Sequence, residues 1–74
     1  MRQMVLGDLV RNRHDREIDL DNYERTKMIS TLKPHEICLI VDTDPEFPAN
    51  VELLTSRGRG WTYDANVELM RKAK

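Results

Sequence analysis

The 74-residue chain has one cysteine, three glycines, three prolines, one tryptophan, two tyrosines and one phenylalanine. A lone cysteine, Cys38, excludes an internal disulfide and with it the stapled scaffolds of small secreted domains. Charge of one sign is also missing: 12 Lys and Arg stand against 13 Asp and Glu, a formal net charge of −1. A dedicated nucleic-acid binder normally carries a basic excess, so that class is disfavoured. The longest uninterrupted apolar run, Ile37 to Val41, is far short of the roughly 18 residues that a membrane span needs. Met1 to Gly7 has no apolar stretch of signal-peptide length. The expectation is a protein that is neither secreted nor in a membrane.

What is there is a mixed surface and one small core. Hydrophobic residues make up 39% and charged residues 34% of the chain. That composition fits one folded domain over residues 1–74, with frayed ends at 1–6 and 71–74. Asp8-Leu9-Val10-Arg11-Asn12 reads as a first strand entered through Gly7. Arg13 to Lys27 is strongly charged. From about Asp21 to Leu32, a short helix capped by Asp21 or Asn22 competes with an irregular excursion.

Beyond Lys33 the pattern sharpens. Pro34 marks a turn, and Glu36 to Asp42 reads as a strand buried on both faces. Asp42 to Asn50, with Pro45 and Pro48, is a loop. Asn50 to Thr55 alternates as a strand, Gly58 serves a tight hairpin, and Gly60-Trp61-Thr62-Tyr63 resumes the ladder. Asp64-Ala65-Asn66 makes a one-turn corner before Val67 to Met70 alternates again. Five short strands with a long first loop predict an all-β small barrel, with one short helix or 3₁₀ turns in that loop.

Three blocks carry a resemblance: Gly7-Asp8-Leu9-Val10, Leu32 to Val41, and Val51-Glu52-Leu53-Leu54-Thr55 through Gly58, Gly60 and Trp61. In these the chain resembles small SH3-like β-barrel proteins of tailed phages, cyanophage proteins among them. The likeness spans most of the chain apart from Arg11 to Met28. It implies a five-stranded SH3-like barrel, a phage origin, and a place in the infected cell's cytoplasm or in the virion. It implies no active site. The chain lacks the Ala-Leu-Tyr-Asp-Tyr run of eukaryotic SH3 domains, and Trp61 follows the hairpin where their peptide-binding tryptophan precedes it. Polyproline recognition is therefore not carried over.

Candidate chemistry is sparse. His14 lies in the charged loop and His35 beside Pro34, and neither makes a Cys-His pattern with Cys38, which reads as core. Asp42-Thr43-Asp44-Pro45-Glu46 and Asp15 to Asp21 place carboxylates at alternate positions but lack the glycine and terminal glutamate of a calcium loop. No enzyme, cofactor or metal is expected. Four residues remain as interaction candidates. Phe47 sits between two prolines, either as an interface anchor or folded back over the barrel end. Arg57, Arg59 and Tyr63 form, with Trp61, a hairpin region that would serve a nucleic-acid-binding or regulatory alternative if the indole were exposed. Strand parity favours a core position for Trp61. The leading expectation is a non-enzymatic protein-interaction or structural module. Its partner is a viral or host protein or a second copy, with nucleic acid less favoured and no membrane or small-molecule substrate.

Overall fold

A computed structural model of the chain describes residues 3–74. The strands are β1 (Leu9–Asn12), β2 (Ile18–Asp21), β3 (Met28–Leu32), β4 (Ile37–Thr43), β5 (Asn50–Thr55), β6 (Gly58–Tyr63) and β7 (Val67–Arg71), and period-two alternation is clearest in β2 and β5. A 3₁₀ turn at Asp64–Asn66 precedes β7. The seven strands form a single antiparallel sheet in the order β3-β2-β6-β5-β4-β1-β7. The sheet does not close, so β3 and β7 are its edges. Among the described residues no helix is long and apolar enough to cross a membrane.

The described residues are therefore all-β, as the alternation predicts, with seven strands among them in place of the expected five. The extra pair is the β2–β3 hairpin, which replaces the short helix considered over 21–32. Ile18 and Leu20 point inward between Asp19 and Asp21, and Ser30 and Leu32 answer them on β3. That period of two, short as it is, decides for a hairpin over a helix. Asn22 caps the connecting loop: its Oδ1 accepts the Thr26 and Lys27 N–H groups at 2.9 and 3.2 Å. Arg25 occupies the left-handed region there (φ 63°), which few residues other than glycine or asparagine enter.

β4 also differs from expectation. Only Cys38 and Ile40 face inward, while Ile37 and Leu39 lie on the solvent side of the strand. An antiparallel sheet can keep one face wet, and this one does. Ahead of β4, Pro34 and His35 (φ 58°) fill the centre of a turn closed by the Glu36 N–H donating to the Lys33 carbonyl at 3.1 Å. Proline followed by a positive φ is the pattern of a type II turn.

Val10, Ile18, Leu20, Leu32, Cys38, Ile40, Val51, Leu53 and Val67 make the core, with Met4 and Leu69 packed against it. Each fully buried aliphatic side chain contributes about 1.5–3 kcal/mol through removal from water. Gly60 lets β2 lie on β6: a Cβ there would stand 2.6 Å from Leu20 Cβ and 3.0 Å from the Leu20 carbonyl carbon. Asn12 draws the two ends of the open sheet together. Its buried Nδ2 donates to the carbonyls of Arg16 (3.0 Å), Leu32 (3.2 Å) and Lys33 (3.0 Å), and its Oδ1 accepts the His14 N–H at 2.9 Å. One amide thus joins β1 to the far end of edge strand β3.

At the chain ends, Met1 and Arg2 lie outside the described residues. Buried Asp8 accepts the N–H groups of Val5 at 3.0 Å and Ala73 at 2.7 Å, so both ends of the described chain meet at one carboxylate.

Candidate functional site

Residues from three separate segments converge where the β2–β3 and β4–β5 loops meet the end of β6. They enclose a groove of roughly 370 Å³ lined by Tyr23, Arg25, Asp44, Phe47, Ala49, Asn50 and Tyr63. The volume lies within the range of ordinary ligand sites.

Asp44 organises this region. Its Oδ1 accepts the Glu46 N–H at 2.9 Å, which bends the chain into the Pro45–Pro48 loop. Its Oδ2 accepts the Tyr23 hydroxyl at 3.0 Å, which ties that loop to the β2–β3 hairpin. Burial pushes the Asp44 carboxyl up. Hydrogen bonds from the Glu46 N–H, Tyr23 hydroxyl, Phe47 N–H and Asn50 side chain outweigh it and hold the group below its ordinary value. The same hydrogen bond, followed by the Asp44 charge, raises the Tyr23 phenol, with smaller contributions from the charges of Glu46 and Glu24. Tyr23 is thus protonated at neutral pH and sits in a negative local field.

Arg25 is held equally closely. Its guanidinium lies 4.2 Å from the Tyr63 ring centroid, donates to Asn50 Oδ1 at 3.2 Å, and pairs with Asp21 at 3.5 Å. The cation on the ring face and the two polar partners fix the Tyr63 wall of the groove. Tyr23 meets Trp61 edge to face, ring centroids 5.1 Å apart.

The expected interaction residues divide. Phe47 and Tyr63 come together in this groove, Phe47 being 67% exposed. Arg57 lies at the opposite end of β6, where it pairs with Glu36 and donates to the Thr31 carbonyl at 3.0 Å. Arg59 projects from the outer face with Glu52 4.0 Å away. Trp61 is only 7% exposed, yet it is not part of the aliphatic core. Register pairs it with Glu52, on the outward side of β5, while Gly60 and Thr62 turn inward. The β2–β3 hairpin covers the indole from outside, which takes the aromatic away from the hairpin surface.

The remaining candidates stand apart. His14 Nε2 is 3.1 Å from Asn66 Oδ1, and exposed His35 lies 2.6 Å from Asp15 Oδ1. Burial, with a smaller push from Glu36, raises the Cys38 thiol to about 12. Among the described residues no three His, Cys, Asp or Glu side chains are grouped to hold a metal ion.

Tyr23, Arg25 and Asn50 were not among the residues that the sequence singled out, and Asp44 was weighed only within a calcium-loop pattern. Asp44 does sit in an Asp-Pro turn pattern, a legible loop signal. Nothing local announces Arg25. Comparisons with protein-family models, curated proteins and solved structures find no match for this chain.

Proposed function

We propose that the chain is a non-enzymatic protein-interaction module of SH3-like architecture that receives an extended segment of a partner protein in the Tyr23–Phe47–Tyr63 groove. The observation that carries this reading is the groove's construction. Three aromatic rings line it, while Asp44 is engaged by its own loop and Tyr23, and Arg25 by Tyr63, Asn50 and Asp21. Such a site offers apolar surface held in fixed shape, which is the chemistry of an interaction hot spot. Among the described residues that line it there is no nucleophile beside a base, the pairing on which nucleophilic catalysis rests.

The SH3-like reading is supported by the consecutive order β7-β1-β4-β5-β6, by the hairpin carried in the long first connection, and by the 3₁₀ turn before the last strand. A phage setting, in the virion or the infected cell, rests on the resemblance of the three sequence blocks. The charges of Glu24, Asp44 and Glu46 around Tyr23 favour a partner segment carrying Lys or Arg among its apolar residues and disfavour a phosphate backbone. The nucleic-acid alternative finds less support, because Arg57 is engaged by Glu36 and Trp61 lies under Tyr23.

Selection of displayed random peptides on the full chain tests the proposal. Selected sequences should be apolar with cationic residues, and Phe47→Ser and Tyr63→Ser should each weaken them about tenfold or more, the loss of one hot-spot side chain. Binders indifferent to both substitutions would refute it. So would tight, salt-sensitive binding of a single-stranded oligonucleotide in their place.

A further inference from the structure

Where the two ends of the described chain meet, the surface is apolar and basic. Val5, Leu6, Gly7 and Asp8 form a tight turn, closed by the Asp8 N–H donating to the Val5 carbonyl at 3.1 Å, with Gly7 in the left-handed region (φ 95°). The tip of the turn projects Leu6, 61% exposed, beside exposed Val5. Buried Asp8 anchors the stretch that follows β7 against this turn: its Oδ1 accepts the Ala73 N–H at 2.7 Å, and a Cβ on Gly7 would stand 3.0 Å from Ala73 Cβ. Arg71, Lys72 and Lys74 are exposed on either side of Ala73, as is Met70 before them. A cationic segment with apolar side chains beside it is thus held in place before any partner arrives, which lowers the ordering cost of docking.

The groove has the complementary chemistry. It offers the rings of Phe47 and Tyr63, with the charges of Glu24, Asp44 and Glu46 around Tyr23. Three cations on one surface therefore match three carboxylates on the other, although the formal net charge of the whole chain is only −1. Asp8 clamps the basic segment beside the start of β1, whereas the groove is built on β2, β6 and the β4–β5 loop, so the segment is presented outward and not to its own groove. We propose that the groove of one molecule receives the 70–74 segment of a second copy, with that copy's Leu6 packed at the margin. The inference rests on the groove reading and names its partner.

The contact joins unlike surfaces, so residues on one half never meet their own counterparts. Met70 and Leu6 supply the apolar side chains for Phe47 and Tyr63, and a thioether is well suited to an aromatic edge. Arg71, Lys72 and Lys74 supply charge-assisted pairs for Glu24 and Glu46 at the rim. A contact of this size and polarity belongs to the weak class of interfaces. The expected dissociation constant is about 10 μM to 1 mM. Salt screens the charged half, so association weakens as salt is added while the apolar half persists.

The test is sedimentation equilibrium of the full chain and two variants, at concentrations spanning that range. The parent should associate, and several-fold more weakly at high salt. Phe47→Ser spoils the groove, and Lys72→Glu combined with Lys74→Glu spoils the chain end. Each should raise the dissociation constant about tenfold or more. All three positions are exposed and outside the core, so both variants should melt with the parent by circular dichroism. An equimolar mixture of the two variants should regain one-to-one association, because each supplies the half that the other lacks. Association that either variant leaves intact, or a mixture that stays monomeric, would overturn the proposal. A monomeric parent would overturn it too; if selected peptides then still bind and lose affinity with Phe47→Ser, the groove reading stands without this partner. Binding of a monomeric parent to phosphatidylserine vesicles, lost with the two lysine substitutions, would give the chain end to an anionic lipid surface and would likewise overturn the proposal.

Discussion

Replacing Asn12 by alanine is the most searching perturbation of the fold. The side chain is fully buried, and its amide reaches three backbone carbonyls and one N–H, of which the Leu32 and Lys33 carbonyls are distant in sequence. Alanine removes every one of these bonds and leaves the Leu32 carbonyl buried and the other three groups partly buried without the amide. A buried group left without a partner costs about 1–3 kcal/mol, and two donors and one acceptor are withdrawn together. Partial relaxation and water entry bring the expected loss to about 2–4 kcal/mol. The whole domain should be worth only roughly 4–11 kcal/mol at its length. A melting temperature lower by roughly 10–30 °C follows, from the scaling for domains of this size. Thermal melts by circular dichroism read it directly. Asn12→Asp gives an internal check: the carboxylate would face carbonyl oxygens, so its stability should recover as the pH falls and the group takes up a proton. A melting temperature of Asn12→Ala within about 3 °C of the parent, below the effect of 1 kcal/mol, would refute the idea that one amide holds the open sheet's ends together.

Three further outcomes follow from the packing and the charges. Gly60→Ala puts a methyl group 2.6 Å from Leu20 Cβ and 3.0 Å from its carbonyl carbon, where backbone cannot swing aside. It should cost about 1–3 kcal/mol or more in urea unfolding, and a neutral result would mean that β2 does not lie on β6. Ser30 Oγ is buried without a hydrogen-bond partner among the described residues, so Ser30→Ala should be neutral or stabilising by up to about 1 kcal/mol; a clear loss in denaturant midpoint would contradict that reading. Asp44 has a depressed folded-state pKa, so its stabilising contribution is present above the unfolded value of about 3.8 and disappears as the pH falls through the lower folded value. Asp44→Asn should therefore flatten the acid limb of the stability curve below about pH 4, and an unchanged limb would show that the carboxylate does not hold the two loops.

Most of the ladder was legible because simple alternation and punctuation agree. Val51 and Leu53 alternate with Glu52, Gly58 turns the hairpin at positive φ, and Asp64–Asn66 makes its single turn where expected. The β2–β3 hairpin was hidden because its inward residues are few and one of them is a serine, so Ser30 and Leu32 do not read as an apolar pair. Helix-like spacing of Tyr23, Lys27 and Met28 then competed, although those residues belong to a loop and a sheet edge. Ile37 and Leu39 read as core because sequence cannot say which side of an apolar strand is covered. Trp61 is buried as expected but for another reason, sheltered by a hairpin that was not foreseen. The groove was half visible. Phe47 and Tyr63 declare themselves as aromatics at loop and strand ends, whereas Tyr23 and Arg25 reach the site only through that hairpin and through a left-handed backbone at Arg25.

The most direct measurement of the central claim is an amide chemical-shift map of the full chain titrated with a groove-selected peptide. The largest shifts should fall on Tyr23, Arg25, Phe47, Asn50 and Tyr63, with the Trp61 indole N–H moving through its contact with Tyr23. Shifts centred instead on Leu39, Leu54 and Arg59, or on the Arg57 hairpin, would contradict the assignment of the groove as the principal docking site.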